Sequence, residues 1–105
     1  MSRFSLKVAI VTGGGSGIGK EVAIRLVQEG ANVVIGGRDE NKLQKAVHEI
    51  DPTGEKVRYF AGDIADPKTA KNLVKVASET FGGVDILINN AGVFNPKSFL
   101  DITET

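Results

Sequence analysis

"TGGGSGIGKE", residues 12–21, packs five glycines into positions 13–19 and follows them with Lys20 and Glu21. Glycine supplies positive φ and lets backbone approach a ligand closely. A tight strand-to-helix turn needs fewer glycines, so the run predicts a loop shaped around phosphate. Free N–H groups at the start of the following helix, together with its dipole, attract such a group without any lysine. Three spacings compete. Gly14 to Lys20 fits G-x-x-x-x-G-K, the opening of a triphosphate-binding loop, but that motif next requires Ser or Thr for Mg²⁺, and position 21 is Glu. G-x-G-x-x-G fits no register: Gly13 and Gly15 would need glycine at Ile18, and Gly15 and Gly17 would need it at Lys20. Thr12-Gly13-x-x-x-Gly17-x-Gly19 fits completely. Lys20 then reads as a solvated first-turn residue.

On either side of this loop the pattern alternates strand and helix. Val8 to Thr12, "VAIVT", is a β-branched apolar run of the kind a strand covered on both faces requires. Beyond the glycines, Ile18, Val22, Leu26 and Val27 predict one buried helical stripe ending at Gly30. Asn32 to Gly36 reads as a second strand. A helix is expected from about Asp39, with Leu43, Ala46, Val47 and Ile50 at helical spacing until Pro52 and Gly54. Val57 to Ala61 predicts a third strand. Asp66 as cap, Pro67 at the first helical position and Gly82–Gly83 as terminator bound a third helix, whose buried residues are Ala70, Leu73, Val74, Ala77 and Phe81. Val84 to Asn89 is the fourth strand. Such alternation predicts βαβ units in a doubly wound parallel α/β sheet. Right-handed crossovers put the first two helices on one face, and the third reaches the other if strand four returns beyond strand one, giving order 3-2-1-4. That reversal opens a ligand crevice at the carboxyl ends of strands one and four. The glycine loop and "NNAG", Asn89 to Gly92, both fall there.

A chain of 105 residues reads as one domain. Thirteen basic residues balance 13 acidic ones, so no broad field draws nucleic acid or an anionic membrane, and anion binding must come from local geometry. With no cysteine, disulfides and thiolate metal sites are excluded. The apolar run near the amino terminus ends after five residues in glycine, too short for a signal core or a membrane span, and a soluble cytoplasmic protein is the expectation. His48, the sole histidine, cannot form a His–His metal pair and reads as a helix-surface residue. Asp51 and Asp85 read as ordinary carboxylates near element ends.

With the loop T-G-x-x-x-G-x-G, Asp63 after strand three and "NNAG" after strand four, in that order, the sequence resembles the short-chain dehydrogenase/reductase family over its whole length. The resemblance implies the amino-terminal part of a Rossmann-like fold, truncated after the fourth strand, with residues 1–105 as a dinucleotide-binding domain. It also implies a nicotinamide dinucleotide held by Gly13, Ser16, Gly17, Ile18, Gly19, Arg38, Asp63, Ile64, Asn90, Ala91 and Gly92. Asp63 would accept from the adenine amino group with Ile64 beside the ring, Ala91 and Gly92 would permit close approach on the ribose side, and an Asn of "NNAG" would lock neighbouring strands. NAD-specific members of this architecture carry an acid at the end of strand two. That position is Gly37 here, followed by Arg38, whose guanidinium can fork onto a 2′-phosphate. NADP is therefore expected over NAD, although the family's other basic position, just before Gly17, is Ser16. Asp39 fits as a helix cap, and the alternative for Arg38 is a solvated loop arginine.

The family moves its proton through a Tyr with a Lys four residues later, beside a Ser. The only tyrosine is Tyr59, four residues before Asp63, so the resemblance assigns no catalytic residue to this chain. "FLDITET", residues 99–105, reads as the start of a helix, with Thr103 as cap and Glu104 in the first turn. An unpaired strand four and a partly uncovered face would forgo burial of order 5–10 kcal/mol, so self-association through that edge or face, a partner fragment or marginal solubility is expected. Two functions remain in view. One is the NADP-binding part of an oxidoreductase that moves hydride between nicotinamide and a carbonyl or alcohol. The other is a stand-alone, non-catalytic dinucleotide-binding module.

Overall fold

The computed structural model describes residues 6–15 and 17–89. Four strands, β1 (Val8–Thr12), β2 (Asn32–Gly37), β3 (Val57–Ala61) and β4 (Ile86–Asn89), alternate with three helices. The helices are α1 (Gly17–Gln28), α2 (Glu40–Ile50) and α3 (Pro67–Phe81). The sheet is wholly parallel and ordered β3-β2-β1-β4. In β1 the side-chain period of two splits the residues between faces. Ala9 and Val11 join Val33, Ile35 and Val57 beneath α1 and α2, packed by Ala23, Leu26, Leu43, Ala46 and Ile50. Val8 and Ile10 join Val34 beneath α3, packed by Ala70, Leu73, Val74 and Ala77. Every residue of β1 is buried, as the unbroken apolar run predicts.

The helix ends follow the sequence closely. α1 closes in a Schellman turn: Gly30 has φ 96°, its N–H donates to the Val27 carbonyl, and the Ala31 N–H donates to the Leu26 carbonyl. Asp39 caps α2 and Asp66 caps α3, the two carboxylates accepting from the Lys42 and Lys68 N–H groups, and Gly82 at φ 91° ends α3. Phe81 is half-buried. β4 begins at Ile86, two residues later than expected, because Asp85 reaches β1 through its side chain. Its carboxylate accepts from the Val8 N–H at 2.9 Å while its own N–H donates to the Val8 carbonyl. Among the described residues β4 is an edge strand, its residues half-buried or exposed, and the expected cap at Thr103 lies outside them.

Two expectations need correction. Ile18 does not join the buried stripe of α1 but is 72% exposed. Gly19, Ala23 and Leu26 face the sheet instead, and one residue turns about 100° around a helix, which carries Ile18 off that face. Asp51 is more than an ordinary end-of-helix carboxylate. Only 8% exposed, it accepts from the Thr53 N–H, the Thr53 hydroxyl and the Lys56 N–H, and so ties together the turn between α2 and β3. Tyr59 serves the fold: its hydroxyl accepts from Gln44 and donates to Glu40, fastening α2 to β3.

Close packing at the sheet's upper end predicts unequal tolerance among the glycines. A Cβ on Gly14 would lie 2.6 Å from the Ile35 side chain, whereas one on Gly37 would meet Leu43 at an ordinary 3.5 Å. Gly14→Ala should cost about 1–3 kcal/mol in chemical denaturation, and Gly37→Ala should fall within about 0.5 kcal/mol of wild type. Burial pushes the Asp51 carboxyl up, but the hydrogen bonds from Lys56 and Thr53 outweigh it and hold the group below its ordinary value of 3.8. A depressed folded value means that the stabilisation is complete above the unfolded pKa and lost as pH falls through the folded one. The melting-temperature gap between wild type and Asp51→Asn should therefore be flat above about pH 5 and close in more acidic solution.

Candidate functional site

Three loops converge at the carboxyl ends of β1, β2 and β3. They enclose a cleft of about 580 Å³ lined by Gly13, Gly15, Gly37 to Leu43 in part, and Gly62 to Ala65, a volume typical of small-molecule sites. Backbone hydrogen bonds fix the loops relative to one another: the Gly13 N–H donates to the Gly36 carbonyl at 2.8 Å, and the Gly62 N–H donates to the Gly37 carbonyl at 2.7 Å. Gly13 at φ 70° and Gly17 at φ 60° hold the left-handed conformation that side chains resist. The space where a Cβ of Gly17 would project is open. No acidic side chain occupies the first turn of α1, so its N–H groups and dipole present a clear positive end. Beneath the loop the buried Thr12 hydroxyl donates to the Asn89 side-chain oxygen at 3.0 Å, joining the ends of β1 and β4. This is the strand-locking role expected of an Asn in "NNAG".

Two of the cleft's charged side chains form an ion pair. The Arg38 guanidinium lies 3.0 Å from an Asp63 carboxylate oxygen, both side chains largely solvated. The other Asp63 oxygen accepts from the Ala65 N–H at 2.9 Å. That backbone hydrogen bond, and after it the guanidinium, keep the Asp63 carboxyl below its usual range. Asp39 directs its carboxylate at the Lys42 N–H as the cap of α2. Lys20 is engaged with α2: its ammonium is 2.6 Å from Glu49, and it is about a quarter exposed rather than freely solvated. That engagement, with Glu21 following, removes the triphosphate-loop reading.

Of the residues expected at the site, Gly13, Arg38, Asp63 and Ile64 line this cleft. Gly17 and Ile18 line a separate shallow groove at the start of α1, and Gly19 is buried against the sheet. Ser16, Asn90, Ala91 and Gly92 lie outside the described residues. The Arg38–Asp63 pair and the presence of Lys42 were not anticipated. Lys42 stands in the first turn of α2, just past the turn that carries Arg38, and both residues line the cleft. Among the described residues no group of His, Cys, Asp and Glu side chains could hold a metal ion, and no helix is long and apolar enough to cross a membrane.

A family model described as short chain dehydrogenase matches residues 7–105. The chain belongs to the short-chain dehydrogenases. It is 41% identical over 97 residues to an L-rhamnose 1-dehydrogenase (NAD(P)(+)) of a Sphingomonas species, covering 91% of this chain and 38% of that enzyme. It is 44% identical over 86 residues to an uncharacterised oxidoreductase of Staphylococcus aureus strain USA300, covering 82% of this chain and 36% of that protein. The crystal structure of L-sorbose reductase from Gluconobacter frateurii, complexed with NADPH and L-sorbose, superposes with a TM-score of 0.79 at 37% identity, covering 86% of this chain and 35% of that one. The chain thus spans a little over a third of the length of the curated relatives it matches. Short-chain dehydrogenases are NAD(P)-dependent oxidoreductases, and this chain covers their amino-terminal, cofactor-binding portion.

The paired charges give a measurable signature. In an NMR titration the Asp63 carboxyl should ionise below the usual aspartate range. Arg38→Ala should move it only part of the way back, because the Ala65 N–H remains the larger cause. Full restoration in that variant would show the guanidinium to be the dominant influence.

Proposed function

We propose that this chain is a dinucleotide-binding domain that holds NADP(H) for hydride transfer to or from a carbonyl or alcohol. The observation that carries this reading is the cleft with Arg38 at its lip and a glycine, not an acid, at the end of β2. In the proposed complex the pyrophosphate rests on the loop from Gly13 to Gly19, with Ser16, Gly17 and Ile18 contributing backbone at the positive end of α1. The adenine lies between Arg38 and Ile64 with its amino group toward Asp63, and the 2′-phosphate takes the Arg38 guanidinium. Asn90, Ala91 and Gly92 flank the ribose on the nicotinamide side. The coenzyme itself supplies the hydride; the residues named here bind and orient it.

The paired Arg38 and Asp63 favour NADP for a further reason. An adenine entering between them separates the ion pair, and only the 2′-phosphate offers the guanidinium a new anion. Asp39 directs its carboxylate at the Lys42 N–H as the cap of α2, not at the ribose position. Tyr59 takes no part in proton transfer, being held by Gln44 and Glu40. The groups that move the proton in this proposal belong to sequence other than residues 1–105.

Gly37→Asp tests the assignment cleanly, since its Cβ meets only ordinary contacts. By calorimetry wild type should bind NADPH roughly tenfold more tightly than NADH, the worth of a charge-assisted hydrogen bond. Gly37→Asp should reverse the order, through a new ribose hydrogen bond and repulsion of the 2′-phosphate. Equal wild-type affinities, or no swing in the variant, would refute the NADP assignment. Uptake of Mg-ATP with neither pyridine nucleotide would refute the binding function altogether.

A further inference from the structure

We propose that Lys42 is a second 2′-phosphate-binding residue, an uncommitted cation that joins Arg38 in favouring a phosphorylated ribose. The proposal rests on the dinucleotide reading above and adds to it a residue outside the glycine loop and outside Arg38.

The charge inventory of the cleft leads there. Four ionisable side chains line it: Arg38, Asp39, Lys42 and Asp63. Three of them already have partners. Asp39 accepts from the backbone N–H of Lys42 as the cap of α2, and Asp63 accepts from the Ala65 N–H and binds Arg38 at 3.0 Å. Arg38 must therefore divide its donors between that carboxylate and any incoming phosphate. The Lys42 ammonium is different, because among the described residues no carboxylate lies within ion-pairing distance of it.

Position reinforces charge. Lys42 is exposed, and its stem runs beside the glycine loop: a Cβ built on Gly15 would lie 3.6 Å from the Lys42 Cβ. The side chain thus rises from the first turn of α2 between the loop after β1 and the turn after β2 that carries Arg38. A flexible four-carbon stem with a compact ammonium suits a dianion approached from one side, while the planar guanidinium takes it in a fork from another. Each exposed ion pair adds only a small increment, so a second cation raises the affinity for the dianion by a modest, measurable factor. The neutral Ser16 in the glycine loop leaves Lys42 as the second cation lining this cleft.

The test uses adenosine 2′,5′-bisphosphate and 5′-AMP, which differ only in the 2′-phosphate, against wild type, Lys42→Gln and Lys42→Arg. Wild type should bind the bisphosphate more tightly than AMP. Lys42→Gln should weaken the bisphosphate roughly three- to fivefold, the worth of one exposed ion pair, and leave AMP unchanged. Lys42→Arg should restore most of the loss, and the bisphosphate affinity of Lys42→Gln should depend less steeply on salt than wild type's. If Lys42→Gln weakens both ligands alike, or neither, while wild type still prefers the bisphosphate, the role of Lys42 is refuted and that of Arg38 stands. If wild type does not distinguish the two ligands, the 2′-phosphate subsite fails as a whole, and with it this proposal.

Discussion

A parallel sheet must be roofed on both faces, and in this chain that constraint falls on β1. Flanked by β2 on one side and β4 on the other, with helices above and below, it leaves none of its five residues accessible. Every other placement follows from it. α1 and α2 cover one face because both crossovers turn the same way, and α3 covers the other because β4 lies across β1 from β2. The chain reverses direction of travel across the sheet at β1, and the loop leaving that strand opens into free space at the sheet's upper end. The glycine run occupies that place. The cleft is thus a product of topology first and of side chains second.

Much of this was legible in the sequence because local and long-range signals agree. Asp66, Pro67 and Gly82 each have a single structural use at a helix end, and each serves it. β1 and β3 occupy the residues their β-branched runs indicate. Where the reading went astray, two neighbouring patterns overlapped. Ile18 shares helical spacing with Val22 and Leu26, but Gly19 and Ala23 form a competing stripe one residue away. Small residues let the helix sit closer to the sheet, and that closer packing prevails. Composition alone favours isoleucine for the interior, so the outcome was not visible before the helix had a sheet to lie on.

The site was legible in its backbone and less so in its side chains. Gly13 and Gly17 announce themselves through the conformations only glycine takes easily. Arg38 and Asp63, 25 positions apart, are brought together only because β2 and β3 are adjacent and their final residues are in register. Sequence gives each a separate role; pairing in space makes them one electrostatic unit. Asp51 shows the same limitation closer at hand. Its turn from Asp51 to Lys56 contains the proline and glycine that mark a loop, yet the carboxylate's inward aim depends on β3 lying alongside.

The hydrogen bonds from Gly13 to Gly36 and from Gly62 to Gly37 continue the sheet's ladder one step beyond the strands. These bonds tie the first residues of the loops after β1 and β3 to the end of β2. An arriving nucleotide meets a preorganised rim and forfeits little backbone entropy in being held there.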